Sequence, residues 1–577
     1  MGTQRIADII VDTLASIGVE RIYGVPGDSL NGITDAIRTH ASVQWIHTRH
    51  EEAAAFAAGA EAHLTGKLAV CAGSCGPGNT HLINGLFDCQ RNRVPVLAIA
   101  AQIPSKEVGS DYFQETKPDH VFRDCSHYCE YIAHPSQIPR VLEIAIRTAV
   151  AKRGVAVIVI SGDTALQSAA LPRVNLTLDS MQPITVPDSD ALARAAAILN
   201  EATRVTILGG AGCAGAHTEL IRAAETLQAP IVHALRGKEF IEYDNPYGVG
   251  MTGLLGFTSG YYAVEHCDLL LMLGTDFPYQ QFYPSHAKVI QVDLRGEQIG
   301  RRTAVDLGLV GSVKDTLRQL LPLLQAKSDS AHLKDAQTRY QKARKALDRL
   351  AGGEPDKKVI HPQHVTAVVD RLASDDAIFT CDVGTPTVWA ARYLTMNGKR
   401  RLLGSFNHGS MANALPQAIG AQLTFPNRQV VSLSGDGGLT MLMGELLSLQ
   451  QLKAPVKIIV YQNDALSFVE LEMKAVGVVS FGTDLVNPDF AKLAEACGIF
   501  GVNVDDQEQL EDSLRAAFAH PGPALVCVKV ARQELSLPPT IDFEQAKGFG
   551  LYLIRAMLNG KGDEIVDLIK TNIRDLE

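Results

Sequence analysis

Between residues 429 and 463 two apolar runs flank a glycine-rich turn and a helical stretch, an order that few folds accommodate. The first run, Gln429-Val-Val-Ser-Leu433, leads into Ser434-Gly-Asp-Gly-Gly438. Helical spacing then predicts one helix from Met441 to Leu452, and the run 456–461 predicts a buried strand ending at Gln462-Asn463. A strand–turn–helix–strand unit builds a parallel sheet and returns Asp436 and Asn463 to one carboxyl edge of it. There Asp436, the Asn463 amide oxygen and a backbone carbonyl, assigned to Ala465, make an all-oxygen set for a hard cation such as Mg²⁺, with diphosphate oxygens completing the octahedron. Gly437 and Gly438 let backbone N–H groups approach a diphosphate closely. Gly-Asp-Gly alone is ordinary strand-to-helix chemistry; the returning Asn at this distance makes it a candidate site.

The same alternation recurs along the chain. Ile6, Ile9, Ile10, Leu14 and Ile17 repeat at helical spacing before Gly18. Apolar runs follow at 67–72, 94–101 and 155–160, as strands buried on both faces require. A polar, Pro-bearing stretch near 171–187 precedes a second series at 205–208, 230–233, 268–273 and 288–294. The charge-dense segment 327–358, broken by Gly352-Gly353, predicts a solvated helix and a linker. A third series begins at 377–380 and closes near 530. The expected fold is α/β, with three doubly wound αβα domains over 1–180, 181–340 and 341–534 and a C-terminal tail over 535–577.

At 577 residues the chain is too long for a single core, and 46% hydrophobic with 20% charged content is that of a soluble globular protein. A net charge of −10 argues against nucleic acid as a partner. No apolar run is long enough to span a bilayer, and the opening residues run straight into a helix, so no signal peptide is expected. Ten cysteines without a Cys-x-x-Cys pair are expected as reduced small hydrophobes of a cytoplasmic protein.

Two further stretches carry chemistry. Thr48-Arg-His-Glu-Glu52 opens an Ala-rich helix, and Glu51 and Glu52 fall in its first turn, where the helix dipole favours carboxylates. The middle region carries Gly209-Gly-Ala-Gly-Cys-Ala-Gly-Ala216 after a strand, which by itself is weak evidence for a dinucleotide.

Taken together, these stretches resemble the thiamine-diphosphate enzymes, whose Gly-Asp-Gly is closed by Asn-Asn; here Gln462-Asn463 keeps the ligand and loses the preceding Asn. The resemblance implies pyrimidine-, FAD- and diphosphate-binding domains in that order. It makes Glu51 the carboxylate that activates the cofactor's aminopyrimidine, with Glu52 structural. It assigns Gly409, Ser410 and Met411 to the turn that wedges the cofactor into a bent shape, and Gly76-Pro-Gly-Asn79 to the pyrimidine loop. Asp382-Val-Gly-Thr385 would add backbone donors for the diphosphate. Thr252, Gly253, Leu254 and Leu255, then Gly274, Thr275, Asp276, Phe277 and Pro278, and finally Asp293 resemble the FAD contacts of the pyruvate oxidase branch. Ser312 departs from the Asp common there.

The end-to-end likeness is strongest to the quinone-dependent, acetate-forming type of that branch, on Ser74-Cys-Gly-Pro-Gly-Asn79, Tyr112-Phe-Gln-Glu115 and His233-Ala-Leu-Arg-Gly-Lys-Glu239. It implies oxidation of pyruvate to acetate and CO₂, with electrons passing through FAD to ubiquinone. Phe113, Gln114, Phe468 and Glu472 would line the reaction chamber, where Ser467 replaces the usual Gly. Glu51 and Asp436 would meet across a subunit boundary, so at least a dimer, and a tetramer by resemblance, is expected. In the tail, Ile565, Val566, Leu568, Ile569 and Ile573 share one helical face. That face is either core or a membrane anchor on the inner face of the cell membrane, and the closing Asp575-Leu-Glu577 weakens attraction to anionic lipid. An acetolactate-synthase-type carboligase with structural FAD, an acetyl-phosphate-forming oxidase, and a membrane-docked protein without catalysis are the alternatives.

Overall fold

Continuous apolar runs become strands buried on both faces, as in Val155–Ser161, where all seven residues are buried. The computed structural model describes residues 4–170, 176–178, 184–353, 359–532, 534, 543–558, 565, 568, 571 and 572. Within them the chain forms three six-stranded parallel sheets. The first runs Gln44–His47, Arg21–Gly24, Ala69–Gly73, Val96–Gln102, Val155–Ser161, Tyr128–Tyr131. The third runs Arg401–Gly404, Ile378–Cys381, Val430–Gly435, Lys457–Gln462, Ala524–Lys529, Phe500–Val504. Counted in chain order within each sheet, the first and third share one strand order, 2-1-3-4-6-5. The middle sheet, Gly248–Met251, Ile231–His233, Val205–Gly209, Leu269–Leu273, Lys288–Asp293, Leu307–Val310, has the dinucleotide-fold order 3-2-1-4-5-6. In every sheet the direction of winding reverses beside the first strand, which opens a crevice at the carboxyl ends there.

The first and third domains meet through helices. Glu51–Thr65 packs on Ala414–Thr424 so closely that a Cβ on Gly420 would stand 2.2 Å from the Ala57 carbonyl oxygen. The helix expected over 441–452 is broken. Asp436–Met441 forms a first helix, Met443–Glu445 a 3₁₀ turn and Leu446–Leu452 a second helix. The break turns Glu445 out of the helical path toward the first domain. Helix Ala331–Ala351 occupies the charge-dense segment and buries only Leu333 and Ala336.

Residues 171–175, 179–183 and 354–358 of the expected linkers lie outside the described residues. In the tail, helix Phe543–Leu558 packs on Ser467–Ala475, and Ile565 and Leu568 are buried with Tyr552 and Ala556. Val566, Ile569 and Ile573 lie outside the described residues. No helix among the described residues is long and apolar enough to cross a membrane.

Candidate active site

Strand Val430–Gly435 delivers Asp436 to the sheet's carboxyl edge as a buried residue. Its Oδ1 accepts the Gly437 N–H at 2.8 Å. Its Oδ2 gathers the N–H groups of Asn463 (3.1 Å) and Asp464 (2.7 Å) and the Asn487 side-chain amide (2.9 Å). Burial raises the Asp436 pKa above the usual carboxylate range. Asn463 Oδ1 accepts from the Ala465 N–H at 3.2 Å, and its Nδ2 donates to Ser467 Oγ at 2.5 Å. Asp436, Asn463 and Ala465 thus lie together at one edge, and the carboxylate, amide and carbonyl oxygens these residues carry are the ligand type that suits Mg²⁺.

Asp382 ends the neighbouring strand. Its Oδ1 accepts the Ala414 N–H at 2.9 Å, while its Oδ2 is buried without a partner. A Cβ on Gly438 would stand 2.4 Å from that oxygen, so any larger residue here would have to displace the Asp382 carboxylate. Burial pushes the Asp382 pKa up to about 7. An orphaned buried carboxyl oxygen beside a turn stripped of side chains fits a site built around a cation and a diphosphate. Gln462 points elsewhere, donating to Asp464 at 2.9 Å and accepting from the Cys527 thiol at 3.1 Å.

Glu51 is the first residue of its helix, 6% exposed, with His50 as N-cap. His81 Nδ1 lies 2.9 Å from Glu51 Oε2, and the His50 and His81 rings stack at 4.3 Å, 23° from parallel. Burial, and then the neighbouring His81, hold His50 below the ordinary histidine value. These three residues are close enough to suggest a metal centre. Stacked imidazoles argue against it, since their in-plane lone pairs do not converge on one ion. On the third domain Gly409 takes φ +85°, and nothing stands where its Cβ would be. Ser410 Oγ accepts from Asn84 Nδ2 at 2.9 Å, and the same amide donates to Glu52 at 2.7 Å. The Met411 methyl lies over the glycine turn, 3.5 Å from where a Gly437 Cβ would be.

The middle crevice is lined by backbone. Gly212 N–H donates to the Gly274 carbonyl at 3.0 Å, and Gly274, at φ +58°, could carry a Cβ only 2.5 Å from Gly212 Cα. Gly253, at φ +99°, abuts the Phe277 ring, and the Thr252 hydroxyl beside it is buried without a partner. Thr275 is buried, Pro278 is exposed, and Asp276 pairs with Arg93 of the first domain at 3.0 Å. Asp293 ends the next strand, and burial pushes its pKa up to about 6. Leu254 packs on the middle core and Leu255 on the third-domain core. The orphaned hydroxyl and the glycine-lined crevice fit a dinucleotide.

Residues 4–121, 192–320 and 382–528 match, in that order, the N-terminal TPP-binding, central and C-terminal TPP-binding domains of thiamine pyrophosphate enzymes. The chain belongs to the thiamine pyrophosphate enzyme family. Over 574 residues it is 36% identical to the Bacillus subtilis thiamine pyrophosphate-containing protein YdaP, covering 99% of both chains. It is 30% identical to pyruvate oxidase of Lactiplantibacillus plantarum, over 88% of this chain and 85% of the relative. It is also 30% identical to chloroplastic acetolactate synthase of Arabidopsis thaliana, over 92% of this chain and 82% of the relative.

In this thiamine pyrophosphate enzyme the four expected chamber residues fall into two pairs. Phe113 is 77% exposed, and Gln114, at φ +63°, packs on Gly76 and accepts the Cys75 thiol at 3.4 Å. Phe468 is half-buried and Glu472 exposed on helix Ser467–Ala475. Within one chain, no hydrogen bond or ring contact among the described residues joins the pairs, or joins Glu51 to Asp436. Ser312 caps helix Val313–Leu320, a role Asp fills equally well. Sequence reasoning missed His81, Asn487 and Glu445. His81 had a signal, lying on the helix that follows the pyrimidine loop; Asn487-Pro488 reads only as a turn.

Proposed function

We propose that the protein oxidises pyruvate to acetate and CO₂, with electrons leaving through FAD to ubiquinone. The observation that carries this reading is the meeting of the middle crevice with the third-domain helix. The Leu255 carbonyl accepts from Arg392 Nε of the third-domain helix Thr385–Tyr393 at 3.1 Å, and the Leu255 side chain packs on the third-domain core. A flavin held by residues 252–255, 274–278 and 293 would lie beside the third domain, which carries Phe468 and Glu472 of the expected reaction chamber. Bound thiamine diphosphate supplies a nucleophilic ring carbon and an electron sink, and FAD a two-electron acceptor.

The chain's own residues do the rest. Asp436, the Asn463 amide and the Ala465 carbonyl would hold Mg²⁺, and the side-chain-free turn Gly437-Gly438 would let the diphosphate approach the backbone. Met411 would wedge the bound cofactor's two rings apart, and the Gly409 carbonyl would accept from its exocyclic amine. Glu51 would share a proton with the pyrimidine ring nitrogen, and the half-exposed His81 connects its carboxylate to solvent. Phe113, Gln114, Phe468 and Glu472 enclose the substrate and exclude water. The exposed Phe113 supports a second copy that covers it, so a homodimer pairing into a tetramer completes each site. Exposed Ile554, Met557 and Leu558 on the tail helix support a peripheral location on the inner face of the cell membrane.

Relatives of both chemistries stand at the same 30% identity, which keeps the acetolactate-type carboligase as the second reading. Anaerobic mixing of holoenzyme with pyruvate decides between them. Bleaching of the flavin, reversed by a soluble quinone, is expected. Pyruvate consumption with the flavin still oxidised would make it structural and favour carboligation.

A further inference from the structure

The helix carrying Glu51 starts without a local partner for its first donor. His50, the N-cap, has a backbone N–H that no residue of its own turn can accept, because the third helical position is Ala53 and has no side chain to reach back. The acceptor comes from the third domain. At Leu442, with φ −127° and ψ 30°, the chain leaves the Asp436–Met441 helix and enters the turn Met443–Glu445. This carries the Glu445 carboxylate, 1% exposed, onto the first domain. Its Oε1 accepts the N–H groups of Arg49 at 2.8 Å and His50 at 3.0 Å. Its Oε2 accepts the Ser448 hydroxyl at 2.6 Å. Arg49 is tied to the same region again, through Gln451 at 2.8 Å.

We propose that Glu445 is a positioning residue for Glu51, a domain-crossing cap that sets the first turn of the Glu51 helix. The proposal rests on the reading of Glu51 as proton carrier. Two charge-assisted bonds to consecutive N–H groups immediately before Glu51 fix where that helix begins and where its first side chain points. Glu445 itself touches no reacting group. It also ends the short arm that starts at Asp436, so in one chain the cation-binding turn and the Glu51 helix are joined by a few residues.

The test uses the full chain with Glu445→Ala and Glu445→Gln. Glutamine keeps an acceptor for both N–H groups and can donate to Ser448; alanine keeps neither. In cofactor-free protein, amide exchange over residues 47–53, followed by mass spectrometry, should speed up at least ~10-fold in the alanine variant and stay protected in the glutamine variant. Thiamine diphosphate–Mg²⁺ affinity should be unchanged in both. With pyruvate, kcat should fall up to ~10²-fold for alanine, as for a misplacement of order 1 Å, and recover in glutamine. Unchanged exchange and kcat in the alanine variant overturn the proposal. So does a cofactor affinity that falls with kcat, which would make Glu445 a scaffold of the diphosphate turn. If the alanine variant does not fold, the glutamine variant decides: protected amides with lost kcat overturn it, and protected amides with retained kcat uphold it. A fully active Glu51→Gln would remove the Glu51 reading while leaving the exchange result to stand by itself.

Discussion

Glu51 is a buried carboxyl at a helix start, fixed by His81 on one side and by the Glu445-held turn on the other. Glutamine at this position keeps the volume and the hydrogen-bond reach but cannot share a proton. Glu51→Gln should leave thiamine diphosphate affinity near that of the native protein and lower kcat about 10²- to 10⁴-fold, measured by calorimetry and steady-state rates. Near-normal turnover would remove Glu51 from its role. Asp382 gives a pH prediction. Burial raises its folded pKa from an ordinary 3.8 to about 7, so its contribution to stability is complete below about pH 4 and lost as pH rises through 7. The loss is at most ~4 kcal/mol. Asp382→Asn cannot ionise, so in cofactor-free protein its melting temperature should gain on the native one between pH 5 and pH 8. A difference independent of pH would show that Asp382 ionises normally.

At the scale of elements, the contact between helices Glu51–Thr65 and Ala414–Thr424 depends on the absence of a side chain at Gly420. Gly420→Ala sets a methyl against the Ala57 backbone, which cannot yield as a flexible side chain can. A loss of about 1–3 kcal/mol is expected, read from the urea midpoint. An unchanged midpoint would mean that the helices can separate freely. The long interior strands were legible because they are apolar on both faces. Edge strands such as Leu307–Val310 and Phe500–Val504 were not, since half-exposed residues leave no continuous apolar run. The break at Leu442 was equally invisible: it brings the Glu445 carboxylate to N–H groups of Arg49 and His50 in another domain, while local spacing favours continuing the helix.

For the whole molecule, the tail tests what lies beyond catalysis. Helix Phe543–Leu558 is docked through buried Tyr552 and Ala556, with Lys474 5.4 Å from the Tyr552 ring centre and Arg555 donating to the Gly477 carbonyl at 2.6 Å. Its outer side leaves Ile554, Met557 and Leu558 exposed, the last at 81%. Replacing Ile554, Met557 and Leu558 together by Asp should abolish co-sedimentation with liposomes yet spare pyruvate oxidation with a water-soluble acceptor. If this variant still co-sediments, the anchor reading goes.

By itself the sequence determined the three parallel sheets and the spacing that brings Asp436 and Asn463 to one edge. Both are consequences of local order: an apolar run too short for a helix, a glycine turn, and a helix of set length leave one way to return. Only the tertiary structure decided which other groups reach that edge and how Glu51 is held. Asn487 comes to Asp436 from an irregular loop, and Glu445 comes to His50 from 395 residues away. Their hydrogen bonds depend on how separate domains pack, and no spacing along one stretch of chain encodes that packing.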